Sequence, residues 1–194
     1  MKKIIYKIWS RILTFLGDIT WSGWNRPFWF VINHQEYRLK GHHFREVSKI
    51  IQPGDIVIQR YEGYVDKWFI PGFWNHGGLY VGEFDEQPQQ VVHAISDGVI
   101  CEDLIDFMRT DHMIVLRPPS YMSKNGIQLA ISLIGKEYDF VFDFKDRQRF
   151  SCTEVIDYCY KGLTMPRKGF MKTIIVADDI VKSHALELIW KSNS

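Results

Sequence analysis

The sequence predicts an α+β fold in which short antiparallel strands pack against a small set of helices. Three observations lead there. Apolar β-runs succeed one another over residues 55–60, 77–82, 90–95, 99–101 and 113–117, with Gly, Asp and Pro between them. Helical periodicity comes later, over residues 125–134 and 151–160, each closed by a glycine, Gly135 and Gly162. Strands segregated from helices indicate an antiparallel meander rather than alternating parallel βαβ units.

The first strand starts at Pro53-Gly54, and Asp97-Gly98 makes the turn between residues 90–95 and 99–101. Residues 61–75 form a long aromatic connection. Residues 102–110 read as a short helix, and Pro118-Pro119 stops the strand over 113–117. Thr173 to Val176 is an apolar run. Asp178 or Asp179 caps a last short helix before residues 186–190.

With 194 residues the chain is long enough for one domain and an extension, here residues 51–194 and 1–50. Hydrophobic residues at 46% and charged residues at 24% are globular values and exclude a disordered chain. A net charge of +1 disfavours nucleic acid as a partner, since phosphate binding calls for a basic excess. Aromatic residues reach 15%, with seven Trp, which implies large apolar contact faces. Cys101, Cys152 and Cys159 are odd in number and form no C-x-x-C pair, so neither a disulfide framework nor a structural zinc site is expected. His34, His42 and His43 lack ligand spacing and read as surface histidines. No metal and no cofactor is expected. The cysteine usage suggests a reducing, cytoplasmic setting.

The chain opens with an amphipathic pattern. Ile4, Ile5, Ile8, Trp9, Ile12, Leu13, Phe15 and Leu16 fall at helical spacing, with Lys2, Lys3, Lys7 and Arg11 on much of the other face. No acid precedes Asp18, no cleavage site follows, and no apolar run is long enough to span a bilayer. Residues 1–20 can therefore dock on the protein's own core or lie peripherally on an anionic membrane. Residues 21–32 read as an irregular hydrophobic lead-in.

The richest chemistry lies at Phe150-Ser151-Cys152-Thr153-Glu154. Ser151 and Glu154 fit a capping box, which makes Cys152 the first residue of a helix. Unpaired N–H groups and the helix dipole put positive charge there, so the thiol pKa is expected to fall. The same N–H groups can receive an oxyanion. A buried, inert cysteine is the alternative, and it is the reading for Cys159. A thiol nucleophile needs a base. His76 stands at the mouth of a strand beside Gly77-Gly78, which leave room for an imidazole. His93 lies within the run at 90–95, where a paired strand can bring its ring to His76. Taken singly, each histidine also reads as an unremarkable strand residue.

In order, residues 53–57 (PGDIV), 75–82 (NHGGLYVG), 91–94 (VVHA), 135–139 (GKEYD) and 150–154 (FSCTE) resemble the motifs of one family. It is the circularly permuted branch of the NlpC superfamily of papain-like thiol hydrolases, the YaeF/YiiX type. The resemblance runs from about Pro53 to Trp190. It implies a papain-like fold, an antiparallel sheet or barrel packed against helices. It also implies Cys152 as nucleophile, His76 as general base and then acid, and His93 as the orienting residue. Many relatives carry a glutamate where His93 stands, and a neutral imidazole stabilises an imidazolium less than a carboxylate does. The implied chemistry is hydrolysis of a peptide or cell-wall type amide through an acyl-enzyme. A lipid-directed acyl hydrolase or acyltransferase, and a silent binding module, are the alternatives. Tyr61 and Tyr138 are candidates for a second oxyanion donor. The aromatic connection before His76 either covers an apolar substrate or plugs the core.

Overall fold

The computed structural model describes residues 6–12, 20–21, 30–31, 37–62, 72–164, 167–168 and 173–193. A helix, α1, covers residues 6–12. Strands β1 (Thr20–Trp21) and β2 (Phe30–Val31) form a short antiparallel ribbon around part of the expected lead-in, whose residues 22–29 lie outside the described set. Helix α2 (Gly41–Ile50) follows. Then come β3 (Ile56–Arg60), β4 (His76–Phe84), β5 (Gln87–Ile95), β6 (Gly98–Asp103), α3 (Leu104–Phe107) and β7 (His112–Arg117). The remainder is α4 (Ser120–Leu133), α5 (Cys152–Cys159), β8 (Arg167–Lys168), β9 (Thr173–Ile174), α6 (Ala177–Val181) and β10 (Glu187–Lys191).

Six strands form one open antiparallel sheet in the order β10-β7-β3-β4-β5-β6, so the arrangement is a sheet and not a closed barrel. Strand alternation divides the core in two. Ile56, Ile58, Leu79 and Val92 face α4, α5 and α6 with Ala130, Val155, Ile156 and Ile180. Val57, Val91 and Val115 face α2 and α3 with Val47, Leu104 and Phe107. Asp55 is buried and accepts both Nε and Nη2 of Arg117, at 2.8 and 2.7 Å, while the same guanidinium reaches the Ile50 carbonyl at 3.0 Å. One ion pair thereby fixes the end of α2 against the sheet.

The strands outrun their sequence signals, because ladder pairing extends past the apolar runs. The helix expected over 102–110 shrinks to α3, since Glu102 and Asp103 continue β6 opposite Val91 and Gln90. Helix α4 starts earlier than expected, directly at the Pro118-Pro119 stop, with Pro119 as its N-cap. Helix α2 was not among the expected elements, although Phe44, Val47 and Ile51 fall on one helical face and pack together. Its His42 and His43 rings stack on each other at 3.8 Å; His34 lies outside the described residues. Residues 186–190 become the edge strand β10, and Asp179 caps α6 by accepting the Val176 N–H at 3.0 Å. The connection before His76 is described only at its ends. There Trp74 is buried and Phe73 is exposed beneath the Arg60 guanidinium; Tyr64, Trp68 and Phe69 lie outside the described residues.

Candidate active site

Helix α5 begins at Cys152, with Ser151 as N-cap and the capping box in place: Glu154 Oε2 accepts the Ser151 N–H at 2.7 Å. The chain reaches this point from a tightly held turn. Phe150 N–H donates to the Glu137 carbonyl at 2.9 Å, and buried Asp139 accepts the N–H groups of Val141 and Asp143. Cys152 itself is buried. Its sulfur receives backbone N–H contacts from Thr153, from its own amide, and from Gly77 across on β4.

Gly77 is thus where α5 comes closest to β4, one residue from His76, although no hydrogen bond or charge contact joins Cys152 to the His76 ring. An added Cβ there would lie 2.5 Å from Ile58 Cδ1 and 3.0 Å from Ile156 Cδ1, so only glycine lets α5 approach this closely. The neighbouring His76 turns to the opposite face of the sheet. Its Nε2 lies 2.8 Å from His93 Nδ1, with the rings edge to face. In the β4–β5 register His93 stands opposite Gly78, where a Cβ would come within 2.9 Å of the His93 Cβ. The paired glycines thus divide the work, Gly77 admitting the helix and Gly78 the second imidazole. Phe107 of α3 covers both rings, with centroids 5.9 Å from His76 and 5.1 Å from His93.

A third residue, not foreseen in the sequence, completes the row. Glu102 Oε2 lies 3.1 Å from His93 Nε2. The oxygen sits off the ring N–H axis, so this is a charge contact rather than an aligned hydrogen bond. The signal for Glu102 is the hairpin register. Ile95 pairs with Gly98 and His93 with Ile100, so two residues further Glu102 returns to the face of His93 as its diagonal neighbour. Reading residue 102 as a helix start hid this.

A family model for the permuted papain-like amidases, the YaeF/YiiX or C92 family, matches residues 50–192. The chain belongs to that family. Among solved structures it is similar to the metalloprotein YiiX from Escherichia coli O157:H7, at 16% identity and a TM-score of 0.61, covering 74% of this chain and 98% of that one. No curated relative matches.

In this permuted papain-like chain the electrostatics depart from the sequence expectation. Burial pushes the Cys152 thiol up to about 11, outweighing the N–H contacts that favour its thiolate. Burial likewise depresses His76, to about 3, with the neighbouring His93 adding to the fall. The resting pair is therefore neutral. Glu154 is raised to about 7, first by burial and then by the charge of Asp139 and a hydrogen bond to it. The Tyr61 hydroxyl accepts from Gln59 Nε2 at 3.0 Å, and Gln59 stands directly opposite His76. Tyr138 instead packs on Phe140, and its carbonyl accepts the Tyr6 hydroxyl of α1 at 2.7 Å. Among the described residues, no group of three or more His, Cys, Asp and Glu side chains is placed to hold a metal ion.

Two predictions follow from these values. Iodoacetamide at pH 7 should alkylate half-exposed Cys101 before buried Cys152, and the Cys152 rate should climb with alkaline pH without an acidic plateau. Peptide mapping by mass spectrometry reads both. The second concerns Glu154, whose folded pKa lies above its usual value of 4.5. Its stabilisation is fully present below about pH 4.5 and is lost as pH rises through about 7. Wild type should thus lose thermal stability relative to Glu154→Gln over that window. The difference between the two proteins is the quantity to measure, because depressed His76 contributes the opposite slope below 6.5.

Proposed function

We propose that this chain is a thiol hydrolase that cleaves a peptide-type or cell-wall-type amide through Cys152, His76 and His93. The observation that carries the reading is the junction at Gly77, where the Cys152 sulfur meets the backbone next to a histidine already held by a second one. Burial disfavours either charge alone. Moving the thiol proton to His76 creates both charges together at no net charge, and the start of α5 favours the sulfur anion. In the first half-reaction the His76 ring has to reach the sulfur from the far side of Gly77; Cys152 Sγ then gives it a proton and attacks the carbonyl carbon. The oxyanion is received by the Cys152 N–H. His76 then protonates the departing amine, the C–N bond breaks, and a thioester remains. In the second, His76 takes a proton from water, which displaces the thiol and releases the acid. His93 keeps the His76 ring in place throughout.

A second reading is a lipid-directed acyl hydrolase or acyltransferase, favoured by α1. Tyr6 anchors this helix: its hydroxyl meets the Tyr138 carbonyl, and the Arg149 guanidinium stacks 4.7 Å from its ring. Ile8, Trp9 and Ile12 nonetheless remain 55%, 49% and 45% exposed, beside Lys7 and Arg11. An apolar stripe next to cationic residues suits an anionic bilayer surface. No helix among the described residues is long and apolar enough to cross a membrane.

Cys152→Ala and His76→Ala should each lower turnover of amide and ester substrates by about a thousandfold or more, with folding intact by circular dichroism. Unchanged turnover in Cys152→Ala would return the chain to the binding-module reading. For the second reading, wild type should sediment with vesicles containing phosphatidylglycerol but not with phosphatidylcholine alone. The triple variant I8S/W9S/I12S should lose most of that binding. Equal binding by the triple variant would remove α1 as a lipid contact.

A further inference from the structure

We infer that Glu102 is a positioning residue that sets the tautomers of both histidines and so turns the basic nitrogen of His76 away from His93. The inference rests on the hydrolase reading above and adds a fourth member behind the triad. His76 Nε2 and His93 Nδ1 are 2.8 Å apart, a distance that accommodates one N–H and one lone pair. Two arrangements are possible, and they have opposite consequences. If His93 holds its proton on Nδ1, it donates to His76 Nε2, and the His76 proton must sit on Nδ1. His76 then has no lone pair left for a thiol. If His93 holds its proton on Nε2, its Nδ1 accepts from His76 Nε2–H, and His76 Nδ1 is bare and basic.

Glu102 selects the second arrangement. Its carboxylate oxygen lies 3.1 Å from His93 Nε2, and that nitrogen is buried with no hydrogen-bond partner. A lone pair on Nε2 would face a carboxylate lone pair at this distance, whereas an N–H faces it favourably. The His93 side chain is 4% exposed, so no bulk water screens the choice. The order of atoms is then Glu102 carboxylate, His93 Nε2–H, His93 Nδ1, His76 Nε2–H, His76 Nδ1. The register enforces it: His76, Gly78, His93, Ile100 and Glu102 share one face across three adjacent strands. When His76 takes a proton on Nδ1, the positive charge is answered through His93 by a real carboxylate. Glu102 lies at the outer, 34% exposed end of the row, and buried His93 links it to His76.

The test begins with the resting protein and needs no substrate. Long-range proton–nitrogen correlation on 15N-histidine-labelled wild type should show His93 protonated at Nε2 and bare at Nδ1, with His76 the same. In Glu102→Leu, His93 should shift toward the Nδ1–H form and His76 should lose its bare Nδ1. Amide or ester turnover should fall about ten- to a hundredfold, as for other outer partners of a reacting imidazole. Glu102→Gln keeps an acceptor without the charge, so it should retain the wild-type tautomers and fall between the two in turnover. A wild-type spectrum with His93 protonated at Nδ1 overturns the inference whatever the variants do. So does an unchanged His76 tautomer in folded Glu102→Leu. If the tautomers are as assigned but no amide or ester is turned over, the hydrolase proposal fails and the role of Glu102 in setting the tautomers stands.

Discussion

The candidate site depends on how closely one helix can lie on one strand. At Gly77 the side chains of Ile58 and Ile156 occupy the space a Cβ would need. A methyl group there would lift α5 off β4 and carry the Cys152 sulfur away from the Gly77 amide. Because His76 is the next residue back, the same backbone that lies against α5 carries the first imidazole of the row. Core packing and site assembly are thus one contact seen from its two ends. The buried apolar residues of α5, Val155 and Ile156, hold Cys152 in place by packing.

The second constraint is dryness. Cys152 and His93 are both buried, and Phe107 lies over the imidazoles. The helix start and three N–H contacts favour a thiolate, yet desolvation wins and the pair rests uncharged. The result is a neutral thiol ringed by oriented N–H groups rather than a stored thiolate. The same balance recurs beneath the helix, where Glu154 accepts the Ser151 amide and, kept partly protonated, meets Asp139 without two full negative charges in contact.

Much of this was legible in the sequence, for identifiable reasons. The capping box at Ser151 and Glu154 marked the start of α5 to the residue, because cap chemistry is local. His76 and His93 could be paired because period-two alternation and two glycines leave few alternatives. Three features went unread. Helix α2 does carry Phe44, Val47 and Ile51 at helical spacing, and they pack on one face, but the adjacent histidines invited a metal reading instead. The pKa of Cys152 follows from how much of the fold closes over it, a sum of distant contacts that no local motif reports. Glu102 was missed because local helix preference after Cys101 looked stronger than continued strand pairing, and the ladder to β5 prevailed.

The placement of these residues along the chain also bears on folding. His76, His93 and Glu102 sit on three consecutive strands joined by tight hairpins, so their row forms from contacts near in sequence. Cys152 joins β4 only after the chain has passed through α3, β7, α4 and the turn around Asp139. Contacts of short separation close sooner than those of long separation. The imidazole row therefore assembles without the thiol, and Cys152 reaches β4 in one of the last closures. A partly folded chain carries the imidazole row without α5 beside it, and its cysteine is an ordinary, solvated thiol. Protection of the Cys152 thiol arrives only with the finished core, so slow alkylation of this cysteine at neutral pH reports complete folding rather than collapse.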